Sequence, residues 1–184
     1  MATFNVGIGK EDIQEGILLP EDWYTMEITR EPYEDKNSAW KTAGEGLPLE
    51  EAAKANPKVG KNIIVHLKVA SEITEHNGRG LTKWLPLPNA LDDGKYMNNG
   101  QPKADWKAEI IHKWVEAFGG ASEGAEVSFV EGQKALVYVV VGKDMSGEED
   151  ENSISMNVMP RSLTAGSGSG LDGGGEDVLD TGLL

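Results

Sequence analysis

Tyr24, Met26 and Ile28 alternate with Trp23, Thr25, Glu27 and Thr29, a period of two that sets one side of an extended strand against a core. Asn62 to Ser71 repeats the pattern more cleanly. Ile63, Val65, Leu67 and Val69 share one face, and Ile64, His66, Lys68 and Ala70 the other. A third strand is predicted over Leu81 to Leu87, with Leu81, Leu85 and Leu87 on one side and Thr82 and Trp84 opposite. Pro86 marks it as an edge or a strand end. A two-residue turn at Asn77-Gly78 would set Leu87 against Lys68 and Leu85 against Ala70, scrambling the faces. An extra bulge residue near Gly78 or Gly80 is therefore expected, bringing leucines opposite Val69.

The spacing then changes to that of a helix. Ile110, Ile111, Trp114, Val115 and Phe118 form an apolar stripe over Asp105 to Phe118, with Asp105 placed to cap the start and Gly119-Gly120 following the end. Gln133 to Gly142 is apolar on both faces, as a central strand would be. Asn152 to Met159 alternates Ile154, Met156 and Val158 with Ser153, Ser155 and Asn157. Three strands, a helix and two strands is the order of a mainly β, five-stranded Greek-key barrel of the OB-fold type, with its helix between strands three and four. The domain is expected to span residues 1–163. A long insertion at 31–61 holds Tyr33, Trp40 and a short helix around Leu49 to Ala55, and connections of that length are commonly functional. Residues 164–184, TAGSGSGLDGGGEDVLDTGLL, are too rich in glycine and serine to repay ordering. They predict a disordered acidic tail, and its tip, Glu176, Asp177, Leu179, Asp180, Leu183 and Leu184, suits a docking peptide on a flexible tether.

Composition narrows the function. The 184 residues are 39 % hydrophobic, which fits one domain with a sizeable core. The longest apolar run, Leu136 to Val141, falls far short of the roughly 20 residues that cross a bilayer, and no secretory signal opens the chain. A cytoplasmic protein without a membrane partner is expected. The absence of cysteine excludes disulfides, thiolate metal sites and a cysteine nucleophile. The net charge is -14, and the body stays acidic without Asp172, Glu176, Asp177 and Asp180 of the tail. Any nucleic-acid site must therefore be a local basic patch.

Single-stranded nucleic acid is held by aromatic faces that stack bases and by Lys or Arg on phosphates. Trp84 and Trp40 are the candidate stacking platforms, Lys41, Lys68, Arg79 and Lys83 the candidate phosphate contacts, and His66 shares their face. The competing reading packs Trp84 beneath a loop and leaves the lysines as solubilising residues. The acidic stretch Lys143 to Glu151, with Asp144, Glu148, Glu149, Asp150 and Glu151, would flank a ligand groove in such a barrel and counts against binding. Its glycine is misplaced for a calcium-binding EF-hand loop. His66, His76 and His112 share no metal-site spacing. No constellation for catalysis and no cofactor motif is readable, and a non-enzymatic protein is expected.

The stretches EGILLPEDWYTMEITREP, NIIVHLKVASE, WLPLP, EAFGG, EGQKALVYVVV and ENSISMNV resemble a family of small phage-encoded proteins over roughly residues 11 to 163. The resemblance implies an OB-fold single-stranded-DNA-binding protein of the replication or recombination module, acting in the cytoplasm of the infected bacterial host. Its shared motifs, such as Leu19-Pro20, Trp23-Tyr24, Phe118-Gly119 and Asn152, are structural and transfer no binding site. The tail is similar in style to the acidic tips that recruit replication or recombination proteins, but it ends Thr181-Gly-Leu-Leu, without an aromatic residue. Self-association along a bound strand is compatible with this reading. The acidic body supports a rival, a protein-interaction module that does not bind DNA, either a DNA-mimic inhibitor or an accessory virion protein. An enzyme, a small nuclease or a carbohydrate-active protein, would need a carboxylate or metal constellation that the strands do not supply.

Overall fold

A computed structural model describes residues 18–44, 46–70, 75–143, 147 and 150–161. The predicted tail, 164–184, lies outside the described residues, as does most of the acidic stretch after Lys143. The elements are β1 (Asp22–Ile28), β2 (Tyr33–Lys36), α1 (Ser38–Gly44), α2 (Leu49–Ala55), β3 (Lys61–Val69), β4 (Gly80–Pro86), α3 (Lys103–Phe118), β5 (Ala121–Glu123), β6 (Glu126–Ser128), β7 (Lys134–Lys143) and β8 (Asp150–Pro160).

The fold is mainly β and antiparallel. β3 carries β4 along one edge, from Asn62 opposite Pro86 to Lys68 opposite Gly80. Its other edge takes β2 first, with Tyr33 opposite Ile64, and then β1, with Met26 opposite Val69. β1 pairs on its far side with β7, which pairs with β8. Where five strands closing into a barrel are expected, the sheet has six strands, β5 and β6 form a separate pair, and no ladder joins β4 to β8 among the described residues. The added strand, β2, lies in the 31–61 insertion. After the bend at Thr29 to Pro32 the chain returns to the same edge of β3, so that β1 and β2 share that edge between them.

Burial sets the register. Leu19, Met26, Ile28, Val65, Leu67, Val69, Leu85, Val137 and Val139 are each at most 1 % exposed, and α3 covers their inner side with Ile110, Ile111, Trp114, Val115 and Phe118. The expected leucine opposite Val69 is not found. Leu81 faces Leu67 and Leu85 faces Ile63. The connection is not a two-residue turn with a bulge. It runs from Ala70 to Arg79, closed by Val69 N–H to Arg79 O and Gly78 N–H to Val69 O, both at 2.8 Å, with Gly78 at φ 83°. That length leaves the register to leucine burial.

The helix begins two residues before the predicted cap. Pro102 precedes it with φ -53° and no side chain caps it, while Asp105 sits in the first turn, where a carboxylate favours the positive end of the helix dipole. Gly119, at φ 77°, ends it in the left-handed conformation that glycine adopts without strain. The loop after β4 is fixed to α3 by Asp92, 3 % exposed, which accepts from Lys107 Nζ at 2.7 Å and lies 3.5 Å from Lys103 Nζ. Burial alone would raise the Asp92 carboxyl, but hydrogen bonds from Lys107 and the Asn89 amide outweigh it and hold it below the usual range.

Candidate nucleic-acid interface

Successive residues of a strand point to opposite faces, so the ladders place Tyr33, Ile64 and Trp84 in one row across the outer face of β2, β3 and β4. His66 and Thr82 form the next row, and Lys68 and Gly80 the one after. Tyr33 is 46 % and Trp84 57 % exposed, whereas Ile64 between them is only 5 % exposed. The face runs into a groove of about 570 Å³ between β3–β4 and β8, bordered by His66, Lys68, Thr82 and Trp84 on one side and Asn152 and Ser153 on the other.

An arginine stands beside the groove at its His66 border. The Arg30 guanidinium bonds His66 Nε2 and lies 5.5 Å from the Tyr33 ring centre. The His66 and Tyr33 rings stack at 6.0 Å with an interplanar angle of 21°, and Thr82 Oγ1 is 3.1 Å from His66 Nδ1. Burial, and then the neighbouring Arg30 charge, pull the imidazole below its ordinary pKa, which favours the uncharged ring. Lys68 bonds Glu27 at 3.0 Å, and Glu27 also takes Lys134 at 3.1 Å. These bonds hold the Glu27 carboxyl low, leaving the trio with one net positive charge. Arg79, half-buried, stands between Gly78 and Gly80, which border the groove.

Of the seven residues expected to contact DNA, His66, Lys68 and Trp84 are brought together here, with Arg79 beside them. Trp40 is not. It is 7 % exposed on α1, packed with Ala52 and Val59, and its indole N–H donates to Leu47 O at 3.0 Å, so neither ring face is open to a base. Lys41 extends from α1 to an ion pair with Asp35, away from the groove. Lys83 turns inward and is 6 % exposed. Its ammonium donates to Ile154 O at 2.8 Å and Ser155 O at 3.0 Å and lies 5.5 Å from the Trp114 ring centre. Burial pushes its pKa down to about 8. Lys83 therefore bridges the seam that β4 and β8 leave unpaired, and its ammonium is held by β8 instead of facing a phosphate. The parity of Leu81, Lys83 and Leu85 carried that signal. Arg30, in the bend after β1, and Tyr33, at the start of the four-residue β2, lie in segments too short to show a period.

Asn152 is structural, as expected of its motif: its side chain exchanges hydrogen bonds with the Leu19 backbone at 2.7 and 2.8 Å. Glu151 borders the groove, while Asp144, Glu148 and Glu149 lie outside the described residues, as do Glu176, Asp177, Leu179, Asp180, Leu183 and Leu184 of the tail. Among the described residues no group of three His, Asp or Glu side chains is placed to hold a metal ion, and no helix is long and apolar enough to cross a membrane. No family model, curated protein or solved structure matches the chain.

Proposed function

We propose that the protein binds single-stranded DNA across the outer face of β3 and β4, stacking bases on Trp84 and Tyr33 while Arg30, Lys68 and Arg79 meet phosphates. The observation that carries this reading is the exposed Tyr33–Trp84 row over a buried Ile64, beside a groove that Lys68 lines and that Arg30, bonded to His66, and Arg79, between Gly78 and Gly80, adjoin. Every base has a π-face, so stacking of this kind tolerates sequence. The strand order β4-β3-β1-β7-β8, with a helix between β4 and β7, supports an OB-type barrel left open at the seam that Lys83 spans. The resemblance of the sequence assigns such binding to phage replication or recombination, where the protein would coat the strand and offer its acidic tail to partner proteins. Nothing is turned over.

The test is a titration with a dT 30-mer at two salt concentrations, read by tryptophan fluorescence, with duplex DNA as the control. Three cations on phosphates would give a log–log salt slope of about -2, from roughly -0.7 per contact on a single strand. Quenching with such a slope and a preference over duplex is expected. The net charge of -14 and Glu151 at the groove favour the rival protein-interaction module, and absence of binding even at low salt would leave that reading standing.

A further inference from the structure

A second groove, of about 510 Å³, opens between β2 and the β5–β6 hairpin. Two features of it come from backbone topology. Among the described residues β2 is laddered only to β3 and β6 only to β5, so each presents its other edge, and residues of both line this groove. A strand edge carries a row of main-chain donors and acceptors that templates a further strand. The floor is apolar, with Leu87, Val127 and Phe129 half-buried, and the rim carries Glu31, Glu34 and Glu126. Glu34 pairs with Lys61 at 3.2 Å, but among the described residues no lysine or arginine lines the groove itself.

We infer that this groove receives an extended segment of a partner protein in which basic and aliphatic residues alternate, added as a strand between β2 and β6. Main-chain hydrogen bonds to the open edges would hold the segment. Alternation would send the aliphatic side chains to Leu87, Val127 and Phe129 and the basic ones to the glutamates. The rim repels phosphate, and of the residues proposed to meet DNA only Tyr33, at the end of the stacking row, also borders this groove, so the inference stands whether or not DNA binds.

The experiment uses the full chain and a fluorescent heptapeptide of alternating lysine and valine, with a lysine–proline heptapeptide of equal charge as its partner probe. Proline lacks the N–H that a ladder needs. Measured by anisotropy, the lysine–valine peptide should bind at least tenfold more tightly than the lysine–proline peptide. The double substitution E31K/E126K should weaken it at least tenfold. E50K/E51K, the same charge change on exposed residues of α2, should leave it within twofold. Equal binding of the two peptides would overturn strand addition. Equal loss from both charge reversals would show general attraction to an acidic protein and overturn the site.

Discussion

Replacing Trp84 with alanine is expected to weaken binding of a dT 30-mer about 5- to 150-fold, the range that follows from the ~1–3 kcal/mol contributed by a base–aromatic stack. The indole is 57 % exposed and projects from the outer face of β4, so its removal opens no core cavity, and exposed substitutions of this kind change stability by about 0.5 kcal/mol or less. Titration and thermal unfolding of the same variant separate the two roles. Lost affinity with an unchanged melting temperature is the expected result. Unchanged affinity with a lowered melting temperature would make Trp84 a packing residue that shields Ile64.

Trp40→Ala should behave in the opposite way. Trp40 is 7 % exposed against Ala52 and Val59, and its N–H satisfies Leu47 O. Truncation would leave a cavity and an orphaned carbonyl, and burying such losses costs about 3–5 kcal/mol. At roughly 2–4 °C per kcal/mol for a chain of this size, the melting temperature should fall by about 10 °C, read by circular dichroism. Affinity for dT should stay within twofold. A variant that melts normally yet binds DNA poorly would restore Trp40 as a stacking platform and contradict the burial argument.

The contrast between these two tryptophans shows what the sequence makes legible. β1, β3, β4, β7, β8 and α3 are readable because each repeats its period for long enough, and the bounds of the short α2, Leu49–Ala55, coincide with those predicted. β2 has four residues and β5 and β6 three each, less than two full alternations, so no pattern distinguishes them from loop. Exposure was legible only through parity. Trp84 lies opposite Leu85 in the alternation and proved exposed, while Lys83 shares parity with Leu81 and Leu85 and proved buried. Trp40, in a short helix of the insertion, offered no alternation to read. Tyr33 and Arg30 join the site only because the chain bends after β1 and returns to β3, a tertiary event with no local signature.

The most direct test of the central claim is to crosslink a dT oligonucleotide containing 5-iodouracil to the full chain under ultraviolet light and map the modified residues by mass spectrometry. Crosslinks at Trp84 and at Tyr33 or His66 are the expected result. Crosslinks confined to Trp23 and Tyr138, the aromatic pair at 5.4 Å on the outer face of β1 and β7, would contradict the account and move the DNA to another face of the sheet.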